Sequence, residues 1–338
     1  MNIAFVINQT HKELATFTTT LLAFKAHKKQ HHIHYVGLSD FVYLPDGTVG
    51  IHARSIHPEQ EINDPEQLIE TLKTTSKVLV RAKHLDLLWL RYDPTLDVIN
   101  RPWAPFMGLQ FAQRMQKEGV FVLNDPYRLM EAYNKLYLEQ FPESVRPRTL
   151  VTRSKEDVIQ FLESENQPII LKPLQGSGGK NVFMVDPKER KNLSQLVEAL
   201  SRDGYLIAQE YLPAAKQGDI RFFLVDGNPL IVDGKYACLR RVQAAGELRS
   251  NIHQGAVAQI AEITPEILAL VEKVGPQLRK DGMYFVGLDI VGDKLMEINV
   301  YSPGALPQAS ALLNVDFAEA LWMEVEKTLA SRPPRQLP

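Results

Sequence analysis

Apolar residues in the first third of the chain form short runs separated by longer stretches of mixed polarity. The stretches up to about Lys29 and over Trp103–Lys117 fit helices, and Pro45-Asp46-Gly47 predicts a hairpin turn within Tyr43–Ile51. Strands that alternate with helices predict a mostly parallel sheet with helices on its faces. The predicted strands are Ile3–Ile7, His34–Val36, Asp86–Arg91 and Val120–Leu123.

The pattern changes near Asn124. Asp125 directly before Pro126 predicts a helix start, because Asp is a good capping residue and Pro fits the first helical turn. Beyond this point short strands and hairpins dominate. The predicted elements are strands Thr149–Thr152, Ile169–Leu171 and Val182–Val185, a helix from Ser154 to about Leu162, two hairpins that join Arg221–Val225 to Leu230–Val232 and Phe285–Val291 to Lys294–Val300, and helices Pro265–Lys280 and Phe317–Ala330.

Composition narrows the class of protein. The 338 residues include 38 Lys and Arg against 40 Asp and Glu, a net charge of −2 that argues against nucleic acid or an anionic membrane as partner. The single cysteine, Cys238, excludes an intrachain disulfide and a cysteine-based zinc site, and favours a reducing compartment. No apolar run approaches the ~18 residues of a membrane span, and the start lacks the basic segment of a signal peptide. We therefore expect a cytoplasmic protein of two or three subdomains.

The loop Gly176–Asn181 reads Gly-Ser-Gly-Gly-Lys-Asn. A dinucleotide fingerprint and a Walker A loop both open a helix, whereas a β-like segment follows here. Two interpretations remain: a plain glycine turn, or a flexible glycine hairpin whose backbone N–H groups close over phosphates. Lys172, in the apolar strand before the loop, is costly there unless it meets an anion. With Lys135 it could complete a triphosphate cradle.

The segment Gly287–Val300 carries acidic residues inside strands otherwise made of Leu, Ile, Val and Met. Asp289, Glu297 and Asn299 offer hard oxygen ligands, which suit Mg²⁺ and not zinc. With a two-residue turn at Gly292-Asp293 and regular pairing, Asp289 points away from Glu297. The metal hypothesis therefore requires an odd-length loop or a bulge that puts the two carboxylates side by side. The alternative is a half-exposed hairpin with polar residues directed outward.

Basic residues concentrate near this segment. Arg221 alternates with apolar neighbours, and the stretch 235–249 holds Lys235, Arg240, Arg241 and Arg249 against one acid. Its functional interpretation is a mobile lid that carries guanidinium groups toward phosphate and carboxylate, and the alternative is a solvated loop. Arg91 ends a predicted parallel strand, where ligands usually bind.

Several motifs in this order resemble the prokaryotic glutathione synthetases of the ATP-grasp superfamily, over nearly the whole chain. The resemblance implies an α/β protein with the ATP-grasp fold. It predicts an N-terminal α/β (pre-ATP-grasp) substrate domain at 1–123, and two α+β subdomains that clamp ATP, at 124–212 and 213–330, before a tail at 331–338. The motifs are Leu90–Pro94, Asn134–Tyr137, Thr149–Arg153, Ile169–Gly179, Ala208–Pro213, Gly218–Arg221 and Val286–Pro303.

Roles follow by matching position in that family. Arg221 and Arg241 would face the phosphates and the reacting carboxylate, and Asp289, Glu297 and Asn299 would hold two Mg²⁺ ions, with Mn²⁺ as the alternative. Gln209 to Leu212 would form the adenine-side hinge. The implied ATP contacts are Lys135, Lys172, Gly176, Gly178, Gly179, Gln209, Glu210, Tyr211, Leu212 and Asp219. The implied substrate contacts are Arg91, Asp93, Arg249, Asn251 and Ser302.

The resemblance implies a ligase that uses ATP to join γ-glutamylcysteine to glycine through an acylphosphate, acting on small molecules as a homo-oligomer. Two departures bear on substrate identity: Gln243–Glu247 is poorer in glycine than the family lid, and Tyr301–Gly304 replaces the usual Thr-Ser-Pro-Thr. The alternatives are a ligase of the same chemistry for another acid and amine, and an ATP-binding regulatory protein without ligase activity.

Overall fold

The computed structural model describes residues 1–176, 179–188, 190–242 and 256–333. Its first sheet is mostly as predicted, with parallel strands in the order β2-β1-β6-β7 at its centre and antiparallel β3, β4 and β5 at one edge. These strands are β1 (Asn2–Ile7), β2 (His32–Gly37), β3 (Phe41–Tyr43), β4 (Val49–Ile56), β5 (Lys77–Arg81), β6 (Leu87–Leu90) and β7 (Phe121–Leu123). The helices of this part are α1 (Thr18–Lys28), α2 (Pro65–Thr74) and α3 (Ala104–Lys117).

Buried apolar runs place β1 and β6 at the centre of this sheet, since every residue of Leu87–Leu90 is buried. The carboxyl ends of β1 and β6 therefore lie side by side. There the Asn8 side chain donates to the Asp93 carbonyl at 2.8 Å and accepts from the Asp93 N–H at 2.8 Å. This arrangement fixes the loop after β6 at the edge where parallel sheets usually bind ligands.

The second sheet is antiparallel, in the order β10-β9-β11-β8, and has its own core with α5 and α6. Ser154 begins α5 as a capping residue by accepting from the Asp157 N–H, as the sequence predicts. A small sheet with a separate core is typical of a distinct subdomain. Its elements are β8 (Thr149–Thr152), α5 (Lys155–Glu165), β9 (Ile169–Pro173), β10 (Phe183–Val185), α6 (Leu193–Ser201) and β11 (Leu206–Glu210), and α4 (Pro126–Glu131) precedes it.

The third sheet runs in the order β17-β16-β12-β18-β19 and is also antiparallel. Helices α7 and α9 have the predicted bounds. The strands are β12 (Asp219–Val225), β13 (Asn228–Pro229), β14 (Ile231–Val232), β15 (Lys235–Tyr236), β16 (Cys238–Val242), β17 (Val257–Gln259), β18 (Phe285–Val291) and β19 (Lys294–Asn299). The helices are α7 (Pro265–Lys280), α8 (Leu306–Leu313) and α9 (Phe317–Ala330).

One predicted hairpin is wrong in detail. The strand β12 pairs with Asn228–Pro229 and not with Ile231–Val232, which pairs with β15. The reason is a tighter turn than expected, because Asp226 and Gly227 both adopt positive φ, at 46° and 68°, as a two-residue hairpin turn requires.

The first and third sheets share buried apolar clusters, so these two parts pack as one body. Trp322 of α9 packs edge-on against Trp89 of β6 at 5.4 Å between ring centroids, and Phe5 and Phe285 belong to the same cluster. Cys238 is buried in the third sheet, and burial raises the pKa of its thiol to about 12, as expected for a packing residue. Among the described helices, none is both long and apolar enough to cross a membrane.

Candidate active site

The hairpin β18–β19 has the bulge that the metal hypothesis requires. Val291 pairs with Lys294 and Ile290 with Leu295, and the register then shifts so that Asp289 pairs with Glu297. The extra residue is Met296. An inserted residue exchanges the two faces of the strand beyond it, and so puts the two carboxylates at directly opposed positions. The predicted register is confirmed.

Asp289 lies in a buried network of charges. Its carboxylate accepts from Arg221 Nε at 2.5 Å and from Arg221 Nη2 at 3.1 Å, and Arg241 Nη2 lies 2.8 Å from Oδ2. Asn299 Nδ2 also donates to Oδ2, at 3.2 Å. Burial would raise the pKa of Asp289, but the two guanidinium groups lower it to about 2.

Strand pairing explains why these charges meet. In the third sheet Arg221 pairs with Asp289 across β12 and β18, and Asp219 pairs with Arg241 across β12 and β16. Arg241 Nε donates to Asp219 at 3.1 Å, and a second bond runs from Nη2 to the same carboxylate. Gly218 makes this approach feasible, since a Cβ on it would lie 2.0 Å from the Arg241 carbonyl oxygen.

The two predicted phosphate-binding lysines meet neutral oxygens. Lys172 Nζ on β9 donates to Gln209 Oε1 at 2.9 Å, and Gln209 Nε2 donates to Thr149 Oγ1 at 3.0 Å. Lys135 Nζ donates to the Gly176 carbonyl at the start of the glycine loop. Burial and the positive charge of Lys135 lower the pKa of Lys172 to about 8.

A cavity of about 130 Å³ lies between Lys135, the β18–β19 hairpin and the loop after β6. Glu297 and Asn299 line it from β19, whereas Asp289 and the two arginines lie behind them, in the sheet. The Glu297 carboxylate is 4.0 Å from Lys135 Nζ, too long for a hydrogen bond, so its oxygens can accept a further ligand. The predicted site residues that line the cavity are Asp93, Lys135, Gly176, Glu297, Asn299 and Ser302.

The glycine loop lies between antiparallel strands, because Leu171 of β9 pairs with Phe183 of β10. The hairpin form is confirmed, and Gly176 and Gly179 adopt positive φ, at 132° and 69°. The predicted hinge continues β11: Glu210 accepts from the Arg148 N–H at 2.8 Å, and the Tyr211 N–H donates to the Pro168 carbonyl at 3.2 Å. Gly178, Arg249, Asn251 and the lid 243–247 lie outside the described residues.

Arg91 is not brought to the cavity. Its side chain is buried, donating from Nε to Thr19 Oγ1 at 3.2 Å and from Nη2 to the Pro303 carbonyl at 2.9 Å. Sequence reasoning also assigns no role to Tyr137, which lines the cavity and donates from its hydroxyl to Asp281 at 2.7 Å. That bond ties the Lys135 segment to the end of α7, a long-range contact that no local pattern predicts.

The donor set fits a metal that is shared with phosphate. Within the described ranges no group of three or more His, Cys, Asp and Glu side chains is arranged to hold a metal ion. Mg²⁺, however, usually takes only one or two carboxylates and completes its shell with substrate phosphates and water. The Glu297 carboxylate and the Asn299 amide, which line the cavity, meet that requirement, and the Asp289 carboxylate lies behind them on the same hairpin.

Comparison with known proteins decides the family. Residues 1–129 match the model of the prokaryotic glutathione synthetase N-terminal domain, and residues 134–314 match that of the prokaryotic glutathione synthetase ATP-grasp domain. The chain belongs to the prokaryotic glutathione synthetase family. The glutathione synthetase of Salmonella typhimurium is 31% identical over 95% of this chain and 96% of its own, and that of Escherichia coli K12 is 32% identical over 90% and 91%.

Solved structures agree on the ATP-grasp fold. D-cycloserine synthetase DcsG superposes with a TM-score of 0.65 at 14% identity, covering 97% of this chain and 100% of that one. D-alanyl-alanine synthetase A from Vibrio cholerae gives 0.58 at 12% identity, covering 98% and 99%. The predicted fold is confirmed. Membership of the glutathione synthetase family also confirms the predicted enzyme class, an ATP-dependent ligase that forms a C–N bond and uses a divalent metal.

Proposed function

We propose that this chain joins γ-glutamylcysteine to glycine, forming glutathione, ADP and phosphate. The observation that carries the proposal is the meeting of Lys135, Gly176, Glu297 and Asn299 around one cavity, in a chain that spans nearly the full length of glutathione synthetases. The cysteinyl carboxylate oxygen attacks the γ-phosphorus of ATP, which releases ADP and leaves an acylphosphate. The glycine amine then attacks the acyl carbon, loses a proton, and displaces phosphate.

We assign ATP to the space between the second and third sheets. Lys135 and Lys172 would bind the phosphates with the glycine loop, including Gly178 and Gly179, and residues Gln209 to Leu212 would take the adenine. The support is that, among the described residues, the only ion pair of either lysine is the one between Lys135 Nζ and Glu297, which are 4.0 Å apart. A lysine charge that is not neutralised favours an incoming anion.

Asp289, Glu297 and Asn299 would hold Mg²⁺, which we propose as two ions, with Mn²⁺ as the second candidate. When bound there, the metal supplies positive charge that neutralises the phosphoryl group in transfer. Asp289 stays ionised at neutral pH because the two guanidinium groups lower its pKa to about 2, and it lies beside Asn299 behind the cavity. Glu297 offers its oxygens directly to the cavity.

Arg221 and Arg241 would stabilise the negative charge that develops on the phosphoryl and acyl oxygens. Both guanidinium groups are already held by Asp289 and Asp219, so they have little reorganisation left to make during the reaction. Preorganised charge of this kind is usually a large contribution to catalysis. Asp219, predicted as a nucleotide contact, would also act on the ATP site through its bonds to Arg241.

The acid and amine would bind on the side of Asp93 and Ser302, where the cavity meets the loop after β6. Arg249 and Asn251 are proposed for the same side, and the lid 243–247 would exclude water from the acylphosphate. The domain limits at 123, 212 and 330, the homo-oligomer and the cytoplasmic location stay predictions.

A matrix of phosphate-release assays tests the function. Each acid, γ-glutamylcysteine or another γ-glutamyl amino acid, is combined with each amine, glycine or β-alanine, and with no amine. We expect release that requires both γ-glutamylcysteine and glycine, with glutathione identified by mass. A preference of at least about tenfold for another pair would assign the chain to a different ligase reaction. Tight ATP binding without acceptor-dependent release would favour a regulatory protein.

A further inference from the structure

The loop Tyr301–Ala305 follows Val300 at the end of β19 and connects the β18–β19 hairpin to α8. It carries Ser302, which lines the cavity. The loop is irregular, and Ala305 adopts a positive φ of 77° as it enters α8, a conformation that is strained for a residue with a side chain. Such a loop keeps one conformation only if contacts from outside it hold it in place.

Those contacts come from two opposite directions. From the active-site side, Arg221 Nη1 donates to the Gly304 carbonyl at 3.1 Å. From the N-terminal sheet, Arg91 Nη2 donates to the Pro303 carbonyl at 2.9 Å, and Thr18 Oγ1 accepts from the Leu306 N–H at 3.3 Å. Two consecutive carbonyl groups are therefore bound by arginines of different parts of the chain.

The packing around Arg221 leaves little freedom at this point. A Cβ on Gly287 would lie 3.0 Å from both Arg221 Cδ and Pro303 Cβ. The loop thus lies directly against the arginine that pairs with Asp289. A shift of Pro303 would be transmitted to Arg221, because the interior is too closely packed to absorb it.

Arg91 is poorly explained as a stabilising residue. The guanidinium lies over the Phe285 ring at 5.5 Å, but its Nη1 atom is buried without a hydrogen-bond partner in the part of the chain that the structure describes. The same holds for Oε2 of Glu13, whose charge acts on Arg91. Replacing a buried ionic group with an apolar one is often neutral or stabilising. A buried guanidinium with an unused donor therefore suggests a positional role, served by the bond to Pro303.

We infer that Arg91 is a positioning residue, which holds the loop Tyr301–Ala305 from the N-terminal sheet and thereby fixes Ser302 and Arg221 for the ligase reaction. The inference rests on the proposed function for its kinetic consequence, but its structural consequence does not depend on it. It also replaces direct substrate contact as the role of Arg91, because the side chain does not line the cavity.

The test compares Arg91→Met with Arg54→Met. Arg54 is a matched control, since it also donates to backbone carbonyls, at 3.2 Å to Lys73, and also has a buried nitrogen without a partner within the described residues, but it contacts only the N-terminal part. Should Arg91→Met fail to fold because Glu13 is left alone, the double variant Arg91→Met with Glu13→Gln removes both charges.

Two measurements are made on the full chain: hydrogen exchange of the peptide that covers 301–306, and steady-state kinetics with ATP binding. We expect faster exchange in that peptide by about tenfold, and a kcat lower by about 10- to 100-fold, as a small misplacement of reacting groups produces. The dissociation constant for ATP should stay within about twofold. Arg91→Lys should restore part of kcat, and Arg54→Met should leave exchange at 301–306 and kcat unchanged.

Unchanged exchange at 301–306 in the Arg91 variants would overturn the inference, and so would a loss of ATP affinity that parallels the loss of kcat. A wild-type chain without acceptor-dependent phosphate release would overturn the proposed function instead. The exchange measurement would still decide whether Arg91 holds the loop.

Discussion

The two sides of the candidate site hold their positive charges differently. On the side of the third sheet, Arg221 and Arg241 are bound by the carboxylates of Asp289 and Asp219. On the side of the second sheet, Lys172 meets the neutral amide of Gln209, and Lys135 meets a backbone carbonyl. The first group is an internally neutralised network. The second is a pair of cations whose only ion pair among the described residues is the 4.0 Å contact of Lys135 with Glu297.

This difference matches two chemical demands. Charges that must stabilise a transition state work best when they are fixed beforehand. Asp289 and Asp219 fix the two arginines in this way, at the cost of desolvating the buried charges. Charges that must attract a polyanion work best when no counter-ion neutralises them. At Lys172, burial and the positive charge of Lys135 lower the pKa of the side chain, as expected for a cation in such surroundings. Single substitutions can therefore disturb the arginine–carboxylate network without affecting the lysine pair, and the lysine pair without affecting the network.

The largest effects are expected from substituting the two carboxylates of the β18–β19 hairpin, and these effects should differ in their consequences for stability. Glu297→Gln should lower kcat by about 10³-fold or more with little change in stability, because Glu297 lines the cavity and its ion pair with Lys135 is as long as 4.0 Å. Asp289→Asn should lose similar activity and also about 3–5 kcal/mol of stability, because it leaves two buried guanidinium groups without their shared partner. Phosphate-release kinetics and urea denaturation measure the two effects.

Asn299→Ser, which keeps a hydroxyl oxygen on the same strand, serves as the milder variant in this series. If Glu297→Gln turned over at the wild-type rate, the metal assignment would be wrong. If Asp289→Asn unfolded at the wild-type urea concentration, the arginine network would not contribute to stability as the burial of its charges implies.

Local sequence patterns predict much of this site. Capping residues predict helix starts, as Asp125 does before α4 and Ser154 does before α5, and helices α7 and α9 have the predicted bounds. Acidic residues in apolar strands likewise identify the β18–β19 hairpin. Even the need for a bulge follows from sequence, because the two-residue period of a strand otherwise separates Asp289 from Glu297.

Contacts between distant elements are the part that sequence does not predict. Nothing in the pattern around Arg91 indicates that its guanidinium group reaches Pro303, 212 residues later. The pairing of Asp219 with Arg241 likewise depends on the register of β12 and β16. Helices α2, α6 and α8 are also missed. Helices α6 and α8 are short and begin without a side-chain cap.

A second variant gives Lys172 a carboxylate partner, as the arginines of the third sheet have. Gln209→Glu places a carboxylate 2.9 Å from Lys172 Nζ if the side chain keeps its position. We expect the affinity for ATP to fall about tenfold, because the new charge neutralises Lys172 and repels the phosphates. Calorimetric titration with ATP and Mg²⁺ measures the change.

Gln209→Met is the size-matched control, which removes the amide without adding charge, and it should weaken ATP binding by less than the Glu variant. Equal affinity in Gln209→Glu and the wild type would contradict the view that an uncompensated Lys172 attracts the phosphates. The arginine network should be unaffected in both variants. The midpoint of urea denaturation of each variant should therefore equal that of the wild type, which serves as the internal reference.

The smallest expected effect is a pH dependence of ATP binding. The pKa of Lys172 is lowered to about 8, so the side chain is charged below that pH and loses its proton as the pH rises through it. Bound phosphate favours the charged form, and the affinity is therefore highest well below pH 8 and declines as the pH rises through 8. Between pH 7 and pH 8.5 a single group with this pKa weakens binding by about fourfold. Lys172→Arg, which stays charged throughout, should bind ATP with a flat profile over the same range, and an equally steep decline in that variant would assign the titration to another group.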